Sequence, residues 1–158
     1  MISTLKILIL LVNSLNNFMI QEKFNDVPIF ILCGGMGTRM KEETEFKPKP
    51  MVDICGKPVV LHIMKSYAAH GFRNFVLCLG FKSGFVKDFF LNRKYLSNDF
   101  SISSEQDGIK LLSANKVEDW KIDLVDTGIN CMTGGRIARA YDRYYHDCTR
   151  FGVTYGDG

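Results

Sequence analysis

Residues 27–33 read Val-Pro-Ile-Phe-Ile-Leu-Cys, an unbroken apolar run, and Gly34-Gly35 follows with no spacer. A strand with one wet face alternates apolar and polar residues; a run with no polar position belongs to a strand covered on both faces, as in a parallel sheet flanked by helices. Pro28 donates no N–H, which a strand tolerates at its start. This one run sets an α/β expectation for everything that follows.

The later sequence meets it. Residues 51–54 form a short extended stretch closed by Gly56. Pro58 suits the first turn of a helix, Val60, Ile63, Met64, Tyr67 and Ala68 recur at helical spacing, and Gly71 suits its C-terminal cap. Residues 75–79 predict a second buried strand ended by Gly80, and residues 84–91 a second helix with Phe85, Val86, Phe89 and Phe90 as its apolar face. Residues 92–126 are more polar and predict shorter strands and loops, including a strand at 122–125. Ile137, Ala140, Tyr141 and Tyr144 predict a helix over 133–144 with Thr133 as N-cap, and residues 151–155 a last strand. Strands and helices thus alternate about every 25 residues, which predicts a Rossmann-like, mainly parallel sheet with flanking helices.

The chain has 158 residues, room for one domain with a core, and its 46% hydrophobic and 23% charged content is that of a globular protein. Lys plus Arg number 20 against 17 Asp plus Glu, a net charge of +3, too small and too dispersed for a nucleic-acid partner. Lys47, Lys49 and Lys57 are close in sequence and fit a local anion site. The five cysteines show no C-x-x-C pair, and Cys33 and Cys78 sit inside apolar runs; reduced, buried thiols in a cytoplasmic protein are expected rather than a disulfide framework or zinc site. Residues 1–26 read as an N-terminal extension that need not be native, since Met19 is a second candidate start. Its apolar run at 7–12 is shorter than the ~7–15 residues of a secretory core or the ~20 of a spanning helix, so no membrane partner is expected. Residues 27–158 read as the front part of one domain, because the last strand meets the end of the chain with nothing after it to cover the sheet.

Chemistry concentrates after the first strand. In Gly34-Gly35-Met36-Gly37-Thr38-Arg39 the glycines let backbone N–H groups approach phosphate oxygens, and Arg39 adds a charged fork for the same oxygens. The run is neither a P-loop nor G-x-G-x-x-G. Lys47-Pro48-Lys49-Pro50-Met51 follows, each lysine held extended by the proline after it and placed to neutralise charge in phosphoryl transfer. Taken singly, the first run reads as a loop and the second as solvated lysines.

Together these runs resemble the sugar-1-phosphate nucleotidyltransferase family, whose signature joins a strand, G-G-x-G-T-R and a P-K-P segment. Glu42-Glu43-Thr44, Val125-Asp126-Thr127-Gly128, Met132-Thr133-Gly134-Gly135-Arg136 and Thr154-Tyr155-Gly156-Asp157-Gly158 are similar to its glucose-1-phosphate cytidylyltransferase branch. The resemblance implies an incomplete nucleotidyltransferase domain that binds CTP and glucose 1-phosphate, forms CDP-glucose and pyrophosphate, and is a homo-oligomer when complete. It implies that Leu32, Cys33, Gly34, Gly35, Met36, Gly37, Thr38 and Arg39 wrap the base and phosphates, and that Lys49 contacts the phosphates. Thr133, Gly134, Gly135 and Arg136 would lie near the nucleotide at a helix N-terminus. Gly156 would join them, and Asp157 would bind Mg²⁺. Arg39 and Lys49 take the catalytic roles, stabilising the leaving pyrophosphate, while His62, His70 and His146 are structural. Two departures stand out: Cys33 replaces an alanine common in relatives, and Ile129-Asn130-Cys131 is less polar than the family's loop. The alternatives are a thymidylyl- or uridylyltransferase of the same family and a non-catalytic nucleotide-binding remnant.

Overall fold

The computed structural model describes residues 24–35, 47–103, 108–113, 115 and 118–157. Along the chain run β1 (Pro28–Cys33), a 3-10 turn (Lys49–Met51), β2 (Asp53–Ile54), β3 (Lys57–Pro58), α1 (Val59–Ala69) and β4 (Asn74–Leu79). Then come α2 (Ser83–Leu96), β5 (Phe100–Ser103), β6 (Gly108–Leu111), β7 (Lys121–Asp126), α3 (Thr133–Tyr144) and β8 (Gly152–Tyr155). The main sheet is parallel throughout, in the order β7-β4-β1-β8. The α/β architecture expected from the first apolar run is the one observed.

The two central strands divide their side chains between two cores. Ile29, Ile31, Phe75, Leu77 and Leu79 face α1 and α2, where Val60, Leu61, Met64 and Val86 close over them. Phe30, Leu32, Val76 and Cys78 face the other way, onto Ala140 of α3 and onto Tyr145 just beyond it. Alternation of side chains across a strand explains why the run needs no polar residue: every position meets a covering helix. Tyr145 adds an edge contact to Phe30 (centroids 5.4 Å apart) and donates its hydroxyl to Asp123.

Local chemistry sets the element ends, and here several expectations change. The stretch expected at 51–54 is a 3-10 turn followed by a hairpin, in which Cys55 (φ 50°) and Gly56 (φ 75°) both take left-handed backbone. Positive φ at both central residues matches the twist of the paired strands, which favours this two-residue turn. Pro58 is the N-cap of α1, one position before its first turn. α1 ends as expected at Gly71 (φ 93°), whose N–H bonds to Ala68 while that of Phe72 bonds to Tyr67.

α2 is longer than its apolar signal, starting after Lys82 in left-handed backbone and continuing to Leu96. Phe85, expected on its buried face, is 48% exposed. Successive residues turn by about 100°, so Phe85 lies that far from buried Val86, while Phe89 and Phe90 flank Val86 closely enough to reach the core. At α3 the N-cap is Met132, and Thr133 is already helical; no side chain caps this end. β5 and β6 form a separate antiparallel hairpin with Ile102 opposite Ile109. Of the expected N-terminal extension, only Phe24 to Asp26 lie among the described residues, with Phe24 stacked on Phe72 at 4.9 Å. Among the described residues no helix is long and apolar enough to cross a membrane.

Packing of this kind gives unequal costs. Phe75→Ala, at a fully buried position, should lower unfolding free energy by about 3–5 kcal/mol in urea titrations, whereas Ile102→Ala on the exposed hairpin should change it by no more than about 0.5 kcal/mol.

Candidate functional site

From β1 the chain crosses to β4 on one side, and it returns later as β8 on the other. Where the winding reverses, the loops after neighbouring strands diverge and leave a crevice at the strands' C-terminal ends. Here the crevice, about 330 Å³, lies between β1 and β8 under the start of α3. Leu32, Gly34 and Gly35 line it from β1, Tyr155 and Asp157 from β8, Lys49 from the 3-10 turn, and Cys131, Met132, Thr133 and Arg136 from the start of α3.

Arg136 is only 5% exposed, yet it carries a charge. Its Nη1 donates to the carbonyls of Leu79 (3.1 Å) and Gly128 (2.7 Å) and to the Thr127 hydroxyl (2.9 Å). Its Nη2 donates to the carbonyls of Gly34 (2.8 Å) and Ile129 (3.1 Å). One guanidinium thus joins the ends of β1, β4 and β7. Gly34 and Gly80 lie against it so closely that a Cβ on either would overlap the guanidinium. Gly34 therefore has a structural reason to be glycine besides the ligand-based one read from sequence. Arg139 and Arg143, on the same side of α3, donate to the Thr127 and Asp126 carbonyls and fasten the same loop.

Among the described residues no carboxylate pairs with Arg136, so its positive charge stands uncompensated beneath the crevice. The buried thiols of the two central strands stay protonated. Burial pushes Cys78 up to about 12, with the Arg136 charge opposing, and burial with the nearby Cys78 and Asp157 raises Cys33 further. At the mouth, Lys49 Nζ lies 3.6 Å from the Asp157 carboxylate, both side chains partly exposed. Lys47 turns away to Asp53 at 3.0 Å. The segment around Lys49, expected to be extended, is a 3-10 turn closed by Met51 N–H to Pro48 and Val52 N–H to Lys49. Proline disfavours α-helix at the residue before it, but a single tight turn needs only one hydrogen bond at a time.

Of the other residues singled out from sequence, Gly156 fixes Asp157. Its N–H bonds to the Leu32 carbonyl at 3.0 Å, and a Cβ there would meet that oxygen at 2.9 Å. Cys33 faces the opposite side of the sheet, in the core with Ile29 and Ile31. Gly134 and Gly135 lie in the first turn of α3, beside the lining residues rather than among them. Met36, Gly37, Thr38 and Arg39 lie outside the described residues. Sequence reasoning missed Tyr155, Cys131 and Met132 as lining residues; the strand-end position of Tyr155 was the available signal. It also missed Thr127, a buried hydroxyl that donates to Leu79 at 2.6 Å.

Among the described residues no three His, Cys, Asp or Glu side chains gather as a metal cage. Asp157 is, among the described residues, the single carboxylate lining the crevice. That fits Mg²⁺ in one manner, with one protein carboxylate and the remaining ligands from water and a bound phosphate.

Residues 29–102 match the family of MobA-like NTP transferase domains. Glucose-1-phosphate cytidylyltransferase of Salmonella typhimurium is 44% identical over 128 residues, 81% of this chain and 49% of that protein. The probable glucose-1-phosphate cytidylyltransferase of Bacillus subtilis shows the same identity over the same shares. Over most of its length the chain is similar to the sugar-1-phosphate nucleotidyltransferases. Among solved structures, HddC from Yersinia pseudotuberculosis complexed with GMP-PN superposes with a TM-score of 0.59 at 28% identity, over 83% of this chain and 48% of that one. The chain spans about half the length of the curated relatives it matches.

Two stability measurements follow from this packing. Arg136→Lys keeps the charge but cannot reach five acceptors, and each buried carbonyl left without a donor costs about 1–3 kcal/mol. The variant should unfold at lower urea by at least about 2 kcal/mol. The buried thiols add a pH dependence. Below pH 9.0, the ordinary value, Cys78 is protonated in both states; above it only the unfolded chain ionises, so stability falls as pH rises from 9.0 toward about 12. Urea titrations on either side of pH 9.0 should show this fall, and Cys78→Ala should make it shallower.

Proposed function

We propose that the complete protein transfers a cytidylyl group from CTP to glucose 1-phosphate, giving CDP-glucose and pyrophosphate in the cytoplasm. The observation that carries this reading is the charge arrangement of the crevice. A buried guanidinium lies beneath a glycine-bordered floor, and Lys49 and Asp157 face each other across the mouth. Such an arrangement suits a polyphosphate: fixed positive charge costs no reorganisation when negative charge shifts toward the leaving group.

In this reading a phosphate oxygen of glucose 1-phosphate attacks the α-phosphorus of CTP as the bond to the pyrophosphate oxygen breaks. Mg²⁺, when bound at Asp157, would supply charge neutralisation for the phosphate oxygens. Lys49 releases Asp157 and turns to the phosphates, where with Arg39 it balances the charge gathering on pyrophosphate. Arg136 holds the Gly34 carbonyl and the 126–129 loop, so the floor keeps its shape while the ligand is bound. Leu32 and Tyr155, partners in register on adjacent strands, present apolar surface to the nucleotide. No side-chain nucleophile is required, since positioning and charge carry the reaction.

A second reading changes only the base. The GMP-PN complex of the Yersinia relative favours a guanine nucleotide.

Calorimetric titration of the chain with CTP, GTP, UTP and dTTP in the presence of Mg²⁺ separates the readings. CTP should bind tightest, and Lys49→Ala should weaken it by about 10- to 100-fold while leaving the thermal melt unchanged. In a chain extended to the length of its relatives, pyrophosphate release from CTP should require glucose 1-phosphate. Tighter binding and faster turnover of GTP would replace the cytidylyl reading with the guanylyl one.

A further inference from the structure

A second cleft, about 460 Å³, lies away from the crevice, between the start of α1 and the C-terminal half of α2. We propose that it is a separate binding site for a phosphate ester carried on a ring, the chemistry shared by nucleotides and sugar phosphates. This goes beyond the transferase reading and does not depend on it.

The cleft's charges are unbalanced and held in place. Among the described residues, Lys57, Lys65 and Arg93 line it against a single carboxylate, Glu118. Glu118 is shared: one oxygen lies 3.4 Å from Lys65 Nζ and the other pairs with Arg93. Lys57 has no ion-pair partner among the described residues and is placed by the tight β2–β3 turn. Three cations and one anion leave a surplus of positive charge, which an incoming phosphate satisfies. Arg93 is the fixed member. Its side chain is only 12% exposed, and its guanidinium lies 5.4 Å from the Trp120 ring centre. A guanidinium stacked on an aromatic face has already lost the freedom it would give up on binding an oxyanion. Burial alone would raise the Glu118 carboxyl, but a backbone hydrogen bond, Arg93 and Lys65 hold it below its ordinary value. Glu118 therefore stays ionised at neutral pH.

The floor asks for more than a bare anion. Leu61, Phe89 and Leu96 supply an apolar surface beside the cations, and Leu96 is 73% exposed. A ring with an apolar face covers that surface while its phosphate reaches Lys57 and Lys65. The volume lies within the range of small-molecule sites, about 300–1,000 Å³.

Trp120, the only tryptophan in the chain, stands behind Arg93 and reports on this cleft, because no tryptophan borders the crevice at β1 and β8. The experiment titrates the chain with CMP, glucose 1-phosphate and inorganic phosphate while following tryptophan emission, excited beyond the nucleotide's absorbance. One ring-bearing ester should give a saturable change with an affinity at least about tenfold above that of inorganic phosphate, and which ester does so identifies the source. The double variant Lys57→Gln, Lys65→Gln should weaken the change at least about tenfold with an unaltered circular-dichroism melt, since both side chains are at the surface. Lys49→Gln, in the other site, should leave it as it is. The proposal is overturned if no ester saturates, if inorganic phosphate binds as well as the esters, if the double variant behaves like the parent, or if Lys49→Gln removes the change.

Discussion

Parallel strands that stop together leave carbonyl oxygens at their ends with no further ladder to join, and the loops leaving those ends must be held if anything is to bind there. Arg136 meets both demands. The carbonyls of Gly34, Leu79, Gly128 and Ile129 converge on it, and the Thr127 hydroxyl completes its set. Burying a charged group costs several kcal/mol unless its donors are satisfied. Five acceptors satisfy them here, and the three loops are tied together as a consequence. Other features follow from this one contact. Gly34 and Gly80 have no room for a side chain, and the turn after β7 is drawn under the start of α3, where Arg139 and Arg143 fasten it again.

The crevice has two layers of charge with different physics. Arg136 lies beneath, shielded from water and fixed by its bonds. Lys49 and Asp157 lie at the mouth, where solvent screens their attraction and the pair contributes little to stability. A buried cation held by five acceptors is suited to a constant role, shaping the floor and its potential. A loosely held pair is suited to exchange, because separating it costs little when a phosphate and a hard cation offer each group a better partner.

The two faces of the sheet differ in how they are used. On one, α1 and α2 cover β1 and β4 with large aliphatic side chains and carry the cationic cleft on their outer surface. On the other, α3 brings small Ala140 against the sheet, flanked by partly buried Ile137 and Tyr141, and carries arginines that reach loop carbonyls. Packing dominates the first face and hydrogen bonding to backbone the second, which is why the site lies beside α3. Farther from the centre, Phe151, Val153 and Tyr155 leave apolar surface at the β8 edge, and Ile102 and Ile109 do so on the β5–β6 hairpin.

Features that depend on near neighbours in the chain were legible from the residues alone. The unbroken run at 27–33 required two covered faces, the spacing of Val60, Ile63 and Met64 required a helix against one of them, and Gly71 required a helix end. Leu32, Gly34, Gly35, Lys49, Thr133, Arg136 and Asp157 could be singled out from short motifs, and tertiary folding brings them to one crevice. Partnership across the fold was not legible. Nothing near Gly34 announces that it must make room for Arg136, 102 positions later, and nothing near Lys49 announces Asp157. The same holds for the depth of burial along α2, where Phe85 and Phe89 look alike in sequence and differ only by the angle each presents to the sheet. Local patterns fix torsions and periodicity because those energies involve adjacent residues. Strand order and the convergence of carbonyls on one guanidinium are decided by contacts between distant segments, and these exist only once the sheet has formed.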